Sequence, residues 1–244
     1  MTRPALAEAR IREDFDEIAR LSEAHGAHDR YDAYLAGVVP PDARDILDVG
    51  CGLGRLAARL AAPHRRVTGI DLSPGMVSRA ARLAGPSSSL RFRCGDVLAM
   101  DLPPAAFDCV ISAATFHHLP TDTAVARMVS LLRPEGTLVI HDLRADDGWL
   151  DLMGSVLDRL ASDLGRFLVT GRLREPRVLR EAWARHGAGE RYLSQREARA
   201  LADRLLPGAT VVRHRYWRYT LVWRNRARGR DATVGKGAGW TQPG

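Results

Sequence analysis

The strongest indication of the fold is the stretch Asp45-Ile46-Leu47-Asp48-Val49-Gly50-Cys51-Gly52-Leu53-Gly54. It begins as a short apolar run, continues into three glycines at alternate positions, and is followed at once by the helix-forming segment 55–62. An apolar run of this length that is bounded by glycine predicts a buried strand. The glycines then form a loop without side chains at the carboxyl end of that strand, where open α/β sheets bind their ligands.

Strand and helix signals alternate after this point, which predicts a parallel sheet with helices on both faces. Further strands are predicted at Arg66–Ile70, Leu90–Cys94, Phe107–Ser112 and Thr137–His141, with helices at about 52–62, 74–84 and 122–132. The capping box Ser194-Gln195-Arg196-Glu197 predicts a helix over Arg196–Leu205. Residues 209–223 are rich in strand formers, and they fit one long strand or a hairpin that bends near 214–216.

Three segments lie outside this alternation. Residues 1–35 predict an N-terminal helical cap, whose helix is centred on Phe15, Ile18 and Leu21. Apolar residues at helical spacing between about 144 and 190 predict an inserted helical cover over the carboxyl edge of the sheet. Residues 225–244 are mostly Arg, Gly and Ala, and we expect a disordered tail there. The main domain is therefore expected at 36–224.

Composition argues against several classes of partner. The formal net charge is +7, but Lys236 is the only lysine and the arginines are spread along the chain, which favours solvated edges over a nucleic-acid track. The chain has neither a long apolar run nor a basic-then-apolar N-terminus, so we expect a cytoplasmic protein without a membrane span. Cys51, Cys94 and Cys109 form no CxxC pair, which predicts reduced cysteines, no disulfide framework and no zinc site.

Acidic residues follow the next two predicted strands. Asp71 ends the second strand about 20 residues beyond the first glycine, a position from which a carboxylate accepts hydrogen bonds from ribose hydroxyls. Asp96 and Val97 follow the third strand, where they can meet the amine and the face of an adenine. The glycine spacing argues against a dinucleotide, because G-x-G-x-x-G/A would require Gly or Ala where this chain has Arg55.

The ordered motifs resemble motifs I to IV of the class I S-adenosylmethionine (SAM) methyltransferases. They are D-x-G-x-G-x-G at 48–54, G-I-D-x-S at 69–73, G-D-V at 95–97 and F-D-x-V-x-S at 107–112. The resemblance covers about 35–143 densely and departs at Glu135, where a Gly is common. It implies a Rossmann-like, seven-stranded, mostly parallel sheet that ends in the hairpin, and SAM as a cofactor released as S-adenosylhomocysteine. The implied cofactor-binding residues are Asp48, Gly50, Gly52, Gly54, Asp71, Leu72, Met76, Asp96, Val97, Ser112 and Tyr31.

Methyl transfer is an in-line displacement that mainly requires positioning and exclusion of water. An acidic hydroxyl acceptor also benefits from a base, for which His117, His118 and His186 are the candidates, although a histidine here can equally serve packing. No HExxH or paired-carboxylate pattern accompanies them, so no metal site is expected.

The resemblance implies an enzyme that methylates a small molecule at O, N or C, as a monomer or homodimer. RNA or protein methylation is the alternative, but Ser112-Ala113-Ala114-Thr115 is not the N/D-P-P-aromatic sequence that holds a flipped base amine. A SAM-binding protein with lost or altered chemistry also fits the motifs. The acceptor itself cannot be identified from these residues.

Overall fold

An eight-stranded, mostly parallel sheet forms the centre of the molecule. The computed structural model describes residues 3–21, 31–146, 148 and 177–226. Its strands are β1 (Asp45–Val49), β2 (Arg66–Asp71), β3 (Leu90–Cys94), β4 (Phe107–Ala113), β5 (Leu132–Ala145), β6 (Leu193–Ser194), β7 (Thr210–His214) and β8 (Arg218–Arg224). Seven strands follow the order β3-β2-β1-β4-β5-β8-β7, and the short β6 pairs with β5. The predicted Rossmann-like sheet is confirmed, with β6 as one strand more than expected.

Helices cover both faces of this sheet. They are α1 (Arg3–Leu21), α2 (Asp32–Val38), α3 (Arg55–Leu60), α4 (Pro74–Ala84), α5 (Thr121–Leu131), α6 (Arg177–Gly187) and α7 (Gln195–Leu205). A short 3-10 helix spans Phe116–His118. One buried cluster joins the sheet to α5 and α7, and a second joins it to α2 and α3. In β4, Val110 belongs to the first cluster and Cys109 and Ile111 to the second. Burial on both sides explains why the central strands are nearly continuous apolar runs.

A third cluster joins α1, α4 and α6 through residues that include Ile18, Met76 and Leu179. Helix α1 was predicted from Phe15, Ile18 and Leu21, and α6 lies within the predicted insert. The insert positions 149–160 that we expected to be helical lie outside the described residues. No helix among those described is long and apolar enough to cross a bilayer.

Local sequence signals set the start of two helices as predicted. Ser73 accepts a hydrogen bond from the Met76 amide at 3.0 Å, and Pro74 takes the first position of α4. Ser194 and Glu197 form the reciprocal capping box of α7. Each bond satisfies an amide that the first helical turn leaves without an intrahelical partner.

Strand β5 extends beyond the predicted Thr137–His141. Its first residues, 132–136, were not predicted as strand because they carry the turn-like sequence Leu-Arg-Pro-Glu-Gly. Glu135 adopts a positive φ of 65°, and the pairing with β4 shifts register between Phe107 and Cys109. Asn225 holds this segment from the other side, since its amide donates to the Gly136 carbonyl and its carbonyl accepts from the Glu135 amide. The first two residues of the expected tail, Asn225 and Arg226, are described and hydrogen-bonded, and 227–244 lie outside the described residues.

The C-terminal strands form the hairpin rather than one long strand. Strands β7 and β8 are antiparallel, and Tyr216 and Trp217 turn the chain with φ values of 57° and 55°. This turn brings Trp217 and Arg218 to the carboxyl edge of the sheet, where they line the main cavity.

Candidate active site

The strand order reverses between β1 and β4, which is the position where α/β sheets of this kind bind ligands. A cavity of about 920 Å³ opens there. Its floor is the carboxyl ends of β1 to β4, and its walls include residues of α1, α6 and the β7–β8 turn. The volume lies near the upper end of the range for small-molecule sites, so a cofactor and an acceptor can share it.

The glycine loop forms one wall of the cavity. Gly50 and Gly52 both adopt positive φ, at 72° and 52°. A Cβ at Gly50 would overlap the Thr115 side chain, whose hydroxyl donates to the Gly50 carbonyl at 3.2 Å. Gly54 does not line the cavity; it starts α3 at φ 73° and gives space to the Phe92 ring. The cofactor contact of Gly54 stays a prediction, and in the structure this glycine packs the loop against the sheet.

Asp71 stands at the end of β2 and lines the same wall. Its two oxygens accept hydrogen bonds from the Gly52 amide at 2.8 Å and the Ser73 amide at 2.9 Å. Burial raises the pKa of Asp71, while these two amides oppose the rise. An ionised carboxylate accepts about four hydrogen bonds, so both oxygens retain capacity toward the cavity.

Asp48 is the most unusual ionisable group of the site. Only 2% of its surface is exposed, and its Oδ2 atom has no hydrogen-bond partner. Burial, followed by the nearby charges of Asp71 and Asp32, raises the pKa of Asp48 to about 7. A buried acceptor without a partner is costly, so this oxygen is ready to receive a cationic or hydrogen-bonding ligand.

The far end of the cavity has the features predicted for an adenine site. Asp96 and Val97 line it, as do Leu72 and Met76. The Asp96 Oδ1 atom accepts from the Leu98 amide at 2.9 Å, which fixes the carboxylate orientation. Val97 and Met76 are buried and offer flat apolar contact.

The structure separates two other predicted cofactor residues. Ser112 is fully buried and does not line the cavity, since side chains alternate along β4 and its own points away. The residues after it, Ala113 to Thr115, line the cavity instead. Tyr31 does line it, and its hydroxyl donates to the Arg215 carbonyl at 2.6 Å, which ties the start of α2 to the β7–β8 turn.

Of the three candidate histidines, only His118 lines the cavity. His117 lies behind it, where its Nδ1 atom pairs with Asp142 Oδ1 at 2.7 Å. His186 reaches His118 from α6, with 3.4 Å between the two Nε2 atoms. Burial, then the neighbouring histidines, lowers the pKa of His118 to about 3 and keeps its ring neutral.

Several lining residues were not among the predicted cofactor-binding or catalytic residues. They come from α1, β5, α6 and the hairpin turn, and they include Phe15, Leu143, Trp183, Trp217 and Arg218. Helical spacing marks Phe15 and Trp183 as residues of helices. The sequence predicted a helical cover at this edge of the sheet, and the structure shows that α1 and α6 line the same cavity there.

The reversed strand order, the glycine loop and the carboxylate after β2 together fit a nucleoside ligand. That combination is the one found in class I SAM-dependent methyltransferases, and the described residues fit the cofactor. The ammonium group of SAM would pair with the Asp48 Oδ2 atom, which has no hydrogen-bond partner, and the ribose hydroxyls of SAM would donate to Asp71.

This chain belongs to the class I SAM-dependent methyltransferase family. The family model of a methyltransferase domain matches residues 46–136. An uncharacterized methyltransferase of Mycobacterium tuberculosis is 32% identical over 209 residues, which span 84% of this chain and 98% of that protein.

More distant proteins are similar over different lengths. The ubiquinone biosynthesis O-methyltransferase of Xanthomonas campestris pv. campestris is 40% identical over 119 residues, which are 47% of this chain and 48% of that enzyme. A chain of the solved complex between the Haloferax volcanii Trm112 methyltransferase activator and a methyltransferase shares the fold, with a TM-score of 0.63 at 16% identity. That match spans 91% of this chain and 100% of the other.

Proposed function

We propose that this enzyme transfers the methyl group of SAM to a hydroxyl-bearing small molecule. The observation that carries the proposal is the shared cavity, in which the glycine loop, Asp71 and Asp96 face an apolar wall contributed by α1 and α6. SAM supplies an electrophilic methyl group on a positively charged sulfur. Family membership supports the reaction class, and the cavity residues support the acceptor class.

The cofactor half of the cavity would be held by residues at the strand ends. Asp71 accepts the ribose hydroxyls, and Asp96 with Val97 receives the adenine. Asp48 receives the ammonium group, which offsets the cost of its burial. Tyr31 closes the cavity beside Asp48, because its hydroxyl bond to Arg215 anchors the ring at the rim.

The acceptor half is mostly apolar and aromatic. Phe15, Leu143, Leu179 and Trp183 line it, and Arg218 adds one cationic group. Surfaces of this kind bind flat or lipophilic molecules and exclude water from the reacting atoms. Small-molecule acceptors are consistent with the Xanthomonas relative, which is a ubiquinone biosynthesis O-methyltransferase.

His118 is the candidate histidine that can touch an acceptor. Its neutral ring lines the cavity and orients an acceptor hydroxyl by packing against it, so that an oxygen lone pair points at the methyl group. A pKa of about 3 makes it a weak proton acceptor, which limits its contribution as a general base. His117 and His186 act as positioning residues that hold the His118 ring.

Calorimetry with S-adenosylhomocysteine tests the cofactor assignment. Asp71→Asn should weaken binding by about 10- to 100-fold, because hydrogen bonds to a charged acceptor are each worth about 1.5–3 kcal/mol. Asp101→Asn, at an exposed position outside the cavity, is the matched control. Equal affinity of both variants and the wild type would refute the ribose contact.

Turnover tests the acceptor class separately. Release of S-adenosylhomocysteine should require a phenol, hydroquinone or other hydroxylated small molecule. Methylation of bulk RNA or protein in place of every small acceptor would support the alternative substrates. Tight cofactor binding with no turnover across the panel would support altered chemistry.

A further inference from the structure

Three histidines and a glutamate meet behind the acceptor half of the cavity. His117 and His118 lie in the 3-10 turn after β4, His186 lies in α6, and Glu190 follows α6. The ring centroids of His117 and His118 are 3.9 Å apart, and those of His118 and His186 are 4.9 Å apart. Each histidine side chain is only 5% exposed and that of Glu190 is 15% exposed. These four residues form the histidine cluster.

Carboxylates orient the two outer histidines. Asp142 is 1% exposed, and its oxygens receive the His117 backbone amide and the His117 Nδ1 atom, both at 2.7 Å. Asp14 of α1 contacts His186 Nδ1 at 3.2 Å. An ionised carboxylate only accepts hydrogen bonds, so each Nδ1 atom carries a proton, and in a neutral imidazole the Nε2 atom then keeps a lone pair. A carboxylate behind a histidine is the arrangement that orients metal-binding imidazoles.

A single proton on the His118 ring cannot serve both of its nitrogen contacts, which are with His186 Nε2 and Glu190 Oε2. If its Nε2–H donates to the lone pair of His186 Nε2, its Nδ1 atom has a lone pair as well. That Nδ1 atom is buried without a hydrogen bond, and it lies 3.1 Å from Glu190 Oε2. Two electron-rich atoms at this separation repel unless a positive charge lies between them.

The spacing suits a cation in that position. Zinc binds histidine nitrogens and carboxylate oxygens at about 2.0–2.2 Å, which places neighbouring tetrahedral ligands about 3.3–3.5 Å apart. The 3.1 Å between His118 Nδ1 and Glu190 Oε2 is close to that separation. A ligand atom of His117 lies within 4.8 Å of the other two, so a closure of about 1.5 Å or less completes three ligands.

We propose that His117, His118 and Glu190 bind a divalent transition-metal cation of the zinc type. Two imidazoles and one carboxylate favour such cations over magnesium or calcium, which prefer oxygen ligands. The same ligand types with an open fourth position occur in catalytic zinc sites. His186 stands one contact further out, where it supports His118 together with Asp14.

The open position would face the acceptor, since His118 lines the cavity. A hydroxyl oxygen bound there would release its proton to solvent water more readily, because a bound cation lowers the pKa of a ligating oxygen, and the resulting oxyanion would attack the methyl group. This activation replaces the base strength that the buried His118 lacks. The role in activation rests on the proposed methyl transfer, whereas cation binding does not.

Binding of the cation is tested on the full-length protein after removal of any affinity tag and dialysis against a chelator. Co²⁺ is titrated while visible absorption is recorded, and Zn²⁺ is titrated in competition with a chromogenic chelator. We expect one equivalent of either ion and the d–d bands of a four- or five-coordinate Co²⁺ site. Glu190→Gln and His118→Gln should each weaken binding by about tenfold or more.

Two control variants show whether the effect is local. His64→Ala and Glu181→Gln remove an exposed histidine and an exposed glutamate outside the histidine cluster, and they should retain the full affinity. S-adenosylhomocysteine binding should stay within about twofold in Glu190→Gln, because Glu190 does not line the cavity. That result separates loss of a ligand from loss of the fold.

The outcomes distinguish this site from the proposed function. One bound equivalent that Glu190→Gln removes supports the site even if no methyl acceptor is found. No stoichiometric binding, or equal binding by Glu190→Gln and the wild type, overturns it. In that event a shared proton satisfies the contact between His118 and Glu190, and methyl transfer should continue in excess chelator.

Discussion

Asp48→Asn should stabilise the protein at pH 8 and weaken its binding of the cofactor. Asp48 is buried with one unpaired oxygen, and its pKa is raised from 3.8 to about 7. The folded protein therefore binds this proton more tightly than the unfolded chain does. The wild type loses stability as the pH rises from about 4 to 7, and the full cost persists above pH 7. An amide has no charge to bury and avoids that loss.

The pH dependence supplies the magnitude. One pKa unit corresponds to about 1.4 kcal/mol, so the Asp48 carboxyl destabilises the folded protein by about 4 kcal/mol at pH 8, where it is ionised, and by about 2 kcal/mol at pH 5, where folding requires it to take up a proton. The Asn amide leaves hydrogens unpaired at a cost of about 1–3 kcal/mol, which is the same at both pH values. The stability of Asp48→Asn relative to the wild type should therefore grow by about 2–3 kcal/mol between pH 5 and pH 8.

Urea unfolding of both proteins at pH 5, 6, 7 and 8 measures this difference. Asp101→Asn, which removes an exposed carboxylate, should follow the wild type at every pH. Calorimetry with S-adenosylhomocysteine at pH 7 should show binding to Asp48→Asn about tenfold weaker, since the ammonium group loses a charged partner. Parallel stability curves for the wild type and Asp48→Asn would refute the reasoning about its burial. Unchanged affinity would refute its contact with the ammonium group.

Two further substitutions test the walls of the cavity. Gly50→Ala should cost about 2 kcal/mol or more of stability and at least about tenfold in S-adenosylhomocysteine affinity, because alanine is strained at φ 72° and its Cβ would overlap Thr115. Gly37→Ala, in α2 with open space around it, is the control and should be neutral or stabilising by thermal melting. Tyr31→Phe should cost about 0.5–1.5 kcal/mol in urea unfolding through the lost bond to the Arg215 carbonyl, and an unchanged midpoint would contradict that anchoring.

The sheet was predictable because its signals are local. Each central strand is a short apolar run that a turn or a helix start follows, and β1, β2, β3 and β4 begin and end within a residue of the predicted bounds. Strand β5 shows the limit of such signals. Its Arg133-Pro134-Glu135-Gly136 sequence indicates a turn, but pairing with β4 and Asn225 keeps the segment in the sheet.

The cofactor half of the candidate site was also predictable in large part. Asp48, Gly50, Gly52, Asp71, Asp96 and Val97 all line the cavity, since a residue just after a parallel strand must lie at the carboxyl edge of the sheet. Ser112 and Gly54 do not line the cavity, so their cofactor contacts stay predictions. The direction of a side chain at a strand end depends on pleat and register, which a motif does not specify.

The succession of strands and helices along the chain, the glycine loop and the carboxylate after β2 follow from the sequence alone, because each depends on residues close together in the chain. Three features became visible only in the folded structure: residues of α1 and α6 line the acceptor half, Asp48 is buried, and Glu190 contacts His118. Those contacts join distant segments, and their energies depend on burial and on distances between atoms that no local pattern encodes.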